Sequence, residues 1–384
     1  MDFDLIVIGS GLGGYAVAKE YRRLSSDSSI LILTQDDGVY YSKPMLSTGF
    51  AKKKTAEDLA MKSAEKMAEE LTIQVNTFTE VTAIDRSSKQ VTTNKGDFTY
   101  KHLVFATGAA PIKLPLPEIT APLTYHINDL MDYATFNKDI SEKGVKKITI
   151  IGSGLVGTEY ATDLTTAGYD VDVIALDEAP LQLLLPKQLG LAVQNQLEED
   201  GVTWHFQTSI AEVEAGSDHP LKITLQNGKI LDADLILSAV GLRPRAEIAK
   251  AAGINVNRGI ITDQQLRTND PDVYALGDCA EICDNILMYV LPLNFSAKAL
   301  AKTLAGDETT LSLPAMPVVV KTPTCPVVSN PPKHGMTGEW HVEGEGSDLK
   351  ATFIDTNGDM QGFALTGAKV AERIKLAKQL PPLL

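Results

Sequence analysis

The chain has 384 residues, 44% hydrophobic and 22% charged, which is enough for two or three cores of about 100 to 200 residues each. A formal net charge of −14 opposes attraction to nucleic acid or anionic lipid, and three cysteines are too few for a disulfide framework. No apolar run of about 18 residues is present to span a bilayer, and the acidic start Met1-Asp2-Phe3-Asp4 is unlike a secretory signal, so a cytoplasmic protein is expected.

The first element is the apolar run Leu5 to Ile8, followed at once by Gly9-Ser10-Gly11-Leu12-Gly13-Gly14, a helical stretch from Tyr15 to Leu24, and a second strand, Ile30 to Leu33. This order of strand, GxGxxG, helix and strand is the dinucleotide-binding unit. Gly9 permits the tight turn, Gly11 lets phosphates approach the helix N-terminus, and Gly14 lets helix pack on strand. A strand-like stretch follows at Thr79 to Arg86, then a hairpin around Asn94-Lys95-Gly96 and a buried strand from Leu103 into Thr107-Gly108. The prolines Pro111, Pro115 and Pro117 read as a linker leaving the first domain.

The whole signature then recurs 143 residues later. Lys147 to Ile151 is the strand, Gly152-Ser153-Gly154-Leu155-Val156-Gly157 the loop, Thr158 to Ala167 the helix, and Val171 to Ile174 the second strand. Leu235 to Gly241 repeats the pattern of apolar strand into glycine, so the chain is expected to leave the second domain and re-enter the first. From Val318 the text turns to short β-rich runs and prolines, ending in a helical stretch from Ala368 to Gln379. The expected architecture is α/β, with two Rossmann-like domains and a small α+β domain at the C-terminal end. The boundaries are 1–115 with 242–317 for the first, 116–241 for the second and 318–384 for the third.

Six scattered histidines form no ligand cluster, and Cys279 and Cys283, though spaced CxxxC, lack the further ligands a metal needs, so no metal site is expected.

Four features beyond the glycine loops carry a family resemblance over essentially the whole chain. They are Thr107-Gly108, Gly157-Thr158-Glu159, Ala239-Val240-Gly241-Leu242-Arg243-Pro244 and Val273-Tyr274-Ala275-Leu276-Gly277-Asp278. Together they resemble the flavoprotein reductases with two dinucleotide domains, which implies a glutathione-reductase-like fold with FAD in the first domain and a nicotinamide nucleotide in the second. That family's disulfide reductases carry redox cysteines near Tyr40 to Gly49, where this chain has none. The stretch Tyr41-Ser42-Lys43-Pro44-Met45-Leu46-Ser47-Thr48-Gly49, with Val319 to Pro326, is instead similar to the rubredoxin reductases of bacterial alkane oxidation.

The resemblance implies non-covalent FAD at Gly9, Gly11, Leu12, Gly13 and Gly14, with Thr34, Gln35 and Val81 beside them. Thr107, Gly108, Gly277, Asp278 and Val290 complete the flavin contacts, Asp278 bonding the ribityl chain. Gly152, Gly154, Gly157 and Glu159 serve the nicotinamide nucleotide. Lys43 and Glu159 are the implied catalytic residues at the hydride-accepting edge, expected to pair with each other, and Lys321 is the candidate cation beside the flavin's anionic edge. The acid that usually binds ribose is replaced by Thr34 in the first unit and Ala175 in the second, with Asp36 and Asp177 two residues later as substitutes. No Arg or Lys lies between Val171 and Pro186, so NADH is expected rather than NADPH.

The implied activity is hydride transfer from NADH to FAD, then single-electron transfer to rubredoxin by a monomer, in support of alkane hydroxylation. The rival expectations are a ferredoxin reductase of an oxygenase system and a non-enzymatic regulator that responds to flavin or NADH.

Overall fold

A computed structural model describes all 384 residues as three packed units. The first is built on a seven-stranded sheet whose parallel part runs Gln74–Asn76, Ile30–Leu33, Asp2–Ile8, Gly96–Phe105. The inner strands, such as Leu5 to Ile8 and Ile30 to Leu33, are buried on both faces, which is why they read as continuous apolar runs rather than alternating ones. The long strand Gly96–Phe105 belongs to two systems at once. Its first half pairs antiparallel with Gln90–Thr93 through a hairpin closed at Thr93 and Gly96, and its last residues pair parallel with Val273–Ala275. That second pairing brings residues 273–275 back against the N-terminal unit.

The second sheet is wholly parallel, in the order Thr124–Tyr125, Leu235–Ser238, Lys147–Ile151, Asp170–Ile174, Val202–His205. A three-stranded antiparallel sheet from Ile210 to Ala233 packs on it through Ile151, Ile174, Val213, Leu221 and Ile236. The chain crosses between the units twice, and the crossings pair with each other: Ala109–Pro111 lies antiparallel to Leu242–Pro244.

The third unit is a five-stranded antiparallel sheet, Val318–Val320, Val327–Asn330, Met360–Thr366, Asp348–Asp355, Gly338–Glu345. Its Val320, Cys325, Val327, Ala351 and Ala364 join the core of the second unit beside Leu184 and Leu189. The expected helix over 368–379 is shorter and broken. A 3₁₀ turn, Gly367–Glu372, precedes the α-helix Arg373–Ala377, because the N–H of Ala368 is drawn onto Asp348 Oδ1 at 2.7 Å and only Leu376 of the helix is buried.

Two half-buried imidazoles set a pH dependence. His102, on the central strand, and His126, after Thr124–Tyr125, each bury Nδ1 without a hydrogen-bond partner, and desolvation pushes both below the usual histidine range, in His102 against the opposing pull of Asp272 at 3.7 Å. Between those depressed values and about pH 6.5 the unfolded chain holds more protons than the folded one, so stability falls on acidification. Thermal melts should therefore show Tm declining as pH drops from about 7 to about 5, and His102→Gln should flatten the decline. Asp132 and Asp163, pushed up by burial, act in the opposite sense at lower pH, since the folded state takes up their protons first.

Candidate functional site

The helices Leu12–Leu24 and Leu155–Thr166 start in the same way, and differently from three other helices of this chain. Those beginning at Ala56, Ala64 and Leu130 have side-chain caps from Thr55, Ser63 and Asp129. The two glycine-loop helices have Gly11 and Gly154 at the N-cap, no side-chain cap and no acid in the first turn, so their leading N–H groups and the positive ends of their dipoles are left for another acceptor. A Cβ at Gly11 or Gly154 would meet no protein atom within 4 Å. The loops are thus concave toward open space, as an approaching pyrophosphate requires.

Two other glycines of each loop are there for the protein itself. Gly9 and Gly152 lie at φ +111° and +107°, and a Cβ would stand 2.3 Å from Ala106 O or 2.6 Å from Ala239 O. At Gly14 and Gly157 a Cβ would stand 1.9 and 2.0 Å from the carbonyls of Gly9 and Gly152, so helix and turn touch only because both lack one.

The first loop and the start of the second glycine helix border one large cleft of about 1030 Å³ between the first and second units. Gly9, Gly11, Leu12 and Gly13 line it, as do Thr34, Gln35 and Val81. Lys43, Thr107, Gly108, Gly277 and Asp278 line it too. Val290 lies at the start of helix Val290–Leu304, a third N-terminus that has neither side-chain cap nor acid in its first turn. Glu159 and Lys321 line the cleft beside Leu155 and Val156. Gly14, Gly152, Gly154 and Gly157 are outside the cleft lining; the last three shape the helix whose first turn reaches it.

Two ion pairs line this cleft, Glu159 with Lys321 and Lys43 with Asp278. Glu159, only 3% exposed, accepts the backbone N–H of Lys321 at 3.0 Å and the Ser47 hydroxyl at 2.7 Å, and forms an ion pair with the Lys321 ammonium. A buried carboxylate needs this full set of donors, because removing it from water is otherwise prohibitive. The expected pairing of Lys43 with Glu159 is therefore corrected: the Lys43 ammonium donates to Asn128 Oδ1 at 2.9 Å and stands 3.6 Å from Asp278 Oδ2. Chain geometry decides this, since Ser47, on the 3₁₀ turn Lys43–Thr48, occupies the Glu159 side while Lys43 begins the turn on the Asp278 side. One helical turn beyond Glu159, Asp163 accepts the N–H groups of Phe50 and Ala51 and so ties that segment to the second unit.

Asn128 and Asp163 carry no recognisable sequence signal, and Ser47 has none beyond its place in the Tyr41 to Gly49 stretch. Asn128 is buried, donates to Ala109 O at 3.0 Å and thereby holds the Lys43 ammonium from across the domain boundary. All three cysteines are free, and burial pushes the Cys279 thiol up, leaving it protonated against Leu276 O and Phe105 O.

Comparison with known proteins places this geometry among relatives. The model of the pyridine nucleotide-disulphide oxidoreductases matches residues 3–293, and that of the rubredoxin binding C-terminal domain matches residues 310–380. A rubredoxin-NAD(+) reductase of Alcanivorax borkumensis is 45% identical over 380 residues, 99% of each chain. One from Acinetobacter baylyi is 38% identical over 386 residues, covering 99% of this chain and 98% of that one. A nitric oxide reductase FlRd-NAD(+) reductase of Vibrio vulnificus is 37% identical with 99% and 98% covered. Among solved structures, NADH:rubredoxin oxidoreductase from Clostridium acetobutylicum shares the fold at a TM-score of 0.81 and 21% identity over 99% of this chain and 95% of that one. The putidaredoxin reductase of a covalent complex with putidaredoxin does so at 0.88 and 23%, over 99% and 94%.

Proposed function

The chain belongs to the pyridine nucleotide-disulphide oxidoreductase family, and from that membership and the cleft we propose that it is an NADH-dependent flavoprotein reductase delivering electrons to rubredoxin. The observation that carries the reading is one cleft bordered by two uncapped glycine helices, with no cysteine in its Tyr40 to Gly49 segment and a C-terminal unit matching a rubredoxin binding domain. A disulfide relay has no thiols there to work with, so electrons must leave the flavin for an external carrier.

The residues fit FAD and a nicotinamide nucleotide: open space at Gly11 and Gly154, three helix N-termini without side-chain caps, and cations inside the cleft. When bound, FAD accepts a hydride from NADH and passes the electrons on singly. Gly9 to Gly14, Thr34, Gln35 and Val81 would hold its adenosine and pyrophosphate, and Thr107, Gly108, Gly277, Asp278 and Val290 the remainder. Gly152 to Gly157 would hold the nicotinamide nucleotide.

The chain's own chemistry is electrostatic. Lys43, steadied by Asn128 and Asp278, keeps a positive charge in the cleft, and Lys321 keeps a second one whose position is set by Glu159. Fixed cations of this kind stabilise negative charge as it develops without reorganising at the moment of transfer. Non-covalent FAD, a monomeric state, a cytoplasmic setting and service to alkane hydroxylation belong to the same proposal; no helix is long and apolar enough to cross a membrane.

Stopped-flow mixing tests the reading. NADH should bleach the bound flavin in a single rapid phase, and rubredoxin should reoxidise it faster than ferredoxin does. Faster reoxidation by ferredoxin would replace the carrier with the oxygenase-type one, and absence of turnover with any one-electron acceptor would leave a regulator.

A further inference from the structure

The turn that carries Lys43 belongs to the first unit by sequence and to the second by packing. Tyr40, just before it, packs on the first core, edge-on to Tyr15, and the chain returns at Ala60–Lys62, which pairs antiparallel with Tyr40–Tyr41. Between these two short strands Leu46, Phe50 and Leu59 are buried in the core of the second unit with Tyr133, Phe136 and Tyr160. The Phe50 ring centre lies 4.8 Å from that of Tyr133 and 5.4 Å from that of Phe136. Gly49 permits this approach, because a Cβ there would stand 2.3 Å from the Tyr133 hydroxyl. That hydroxyl donates to Lys54 O at 2.7 Å, and the Lys54 N–H closes the loop onto Gly49 O at 2.9 Å.

Apolar contact is non-directional, so packing alone would hold this excursion without fixing its backbone. Asp163 supplies the direction. It is buried on the helix Leu155–Thr166, and its two oxygens accept the adjacent N–H groups of Phe50 and Ala51 at 2.9 and 3.0 Å. One turn earlier, on the same face of that helix, Glu159 accepts the Ser47 hydroxyl. Two carboxylates of one helix thus grip the end of the Lys43–Thr48 turn and the backbone just beyond it. The first turn of this helix is where the nicotinamide nucleotide would lie, about 12 Å from Asp163 at about 1.5 Å per residue. At the other end of the turn, Asn128 and Asp278 hold the Lys43 ammonium.

We propose that Asp163 is a positioning residue for hydride transfer: by fixing the backbone of Phe50 and Ala51 it sets the register of the Lys43–Thr48 turn, and so the place of the Lys43 ammonium in the cleft. The proposal rests on the reductase reading above and adds to it a residue that touches neither nucleotide. A single rigid helix then carries the nucleotide end, Glu159 and Asp163 at fixed spacing, so the donor side and the Lys43 side of the cleft are held in one frame. Charge-assisted bonds to two successive N–H groups leave little freedom for sliding, and a reacting group displaced by about 1 Å loses rate steeply. Asparagine at this position has the same size but one acceptor, and its NH₂ group would face the second N–H.

Hydrogen exchange and single-turnover reduction of the full-length holoprotein test this together. In Asp163→Asn, amides of residues 43–54 should exchange faster than in wild type, and flavin reduction at saturating NADH should slow about tenfold or more while the NADH Kd stays within about twofold. The Asp163→Asn, Lys43→Met double variant should be no slower than Lys43→Met alone, since Asp163 acts through that lysine. Tyr133→Phe, which keeps both Asp163 bonds and loses the donor to Lys54 O, disturbs the fold less and should slow reduction by a smaller factor. Val193→Ala, a cavity elsewhere in the second core, should lower Tm and leave the reduction rate unchanged. An unchanged rate in flavin-loaded Asp163→Asn, losses that multiply in the double variant, or an equal slowing in Val193→Ala would overturn the role of Asp163 while leaving the reductase reading intact. A wild type that NADH does not reduce would overturn both.

Discussion

Gly154→Val should yield a folded, yellow protein that NADH no longer reduces, whereas Gly11→Val should yield a folded protein without flavin. The argument turns on where these glycines differ from their neighbours. Gly11 and Gly154 sit at φ −60° and −71° with extended ψ, a conformation any residue adopts, and a Cβ there meets no protein atom within 4 Å. Valine therefore costs the fold little, and what it would displace is a pyrophosphate bound at the helix N-terminus. The expected rise in the NADH Kd for Gly154→Val is about a hundredfold or more, the scale of losing several charge-assisted hydrogen bonds together. Flavin content read from the visible spectrum, against nucleotide affinity read by titration, checks both variants. If Gly154→Val lost flavin and Gly11→Val kept it, the assignment of FAD to the first unit would be reversed.

Lys43→Met should slow flavin reduction by NADH about a hundredfold with flavin retained, the usual scale when one preorganised charge or donor is taken from a reacting centre. The ammonium is held by Asn128 from the second unit and by Asp278 from the return of the chain into the first. Asn128→Ala should show a smaller loss in the same rate, because it loosens Lys43 without removing its charge. The double variant should be no slower than Lys43→Met alone, since positioning a group that is gone has no value. Single-turnover rates across this cycle decide the matter. A Lys43→Met protein with unchanged reduction rate and unchanged flavin spectrum would remove Lys43 from the active site.

The lysine pairing shows where reading from the chain alone stops. Lys43, Glu159 and Lys321 are legible from motif position, but which of them pair depends on how a 3₁₀ turn of the first unit, a helix of the second and the strand end of the third converge. The supporting roles of Asn128 and Ser47 are invisible for the same reason. Each supports a charge more than 80 residues away in the chain, and nothing local distinguishes either from any other polar residue.

Short-range physics is written locally. Buried parallel strands need continuous apolar runs, and a phosphate-binding turn needs glycine where a Cβ would strike a carbonyl. Those constraints act within about 30 residues, so the sequence by itself determined two dinucleotide units, the missing redox thiols and a separate C-terminal segment. Electrostatic partnership across units acts through space. Only the tertiary structure decided that Glu159 is neutralised by Lys321 rather than Lys43, and that the two domain crossings pair with each other. A buried charge takes whichever donors the packing of distant elements brings within reach, and that packing is a property of the whole fold.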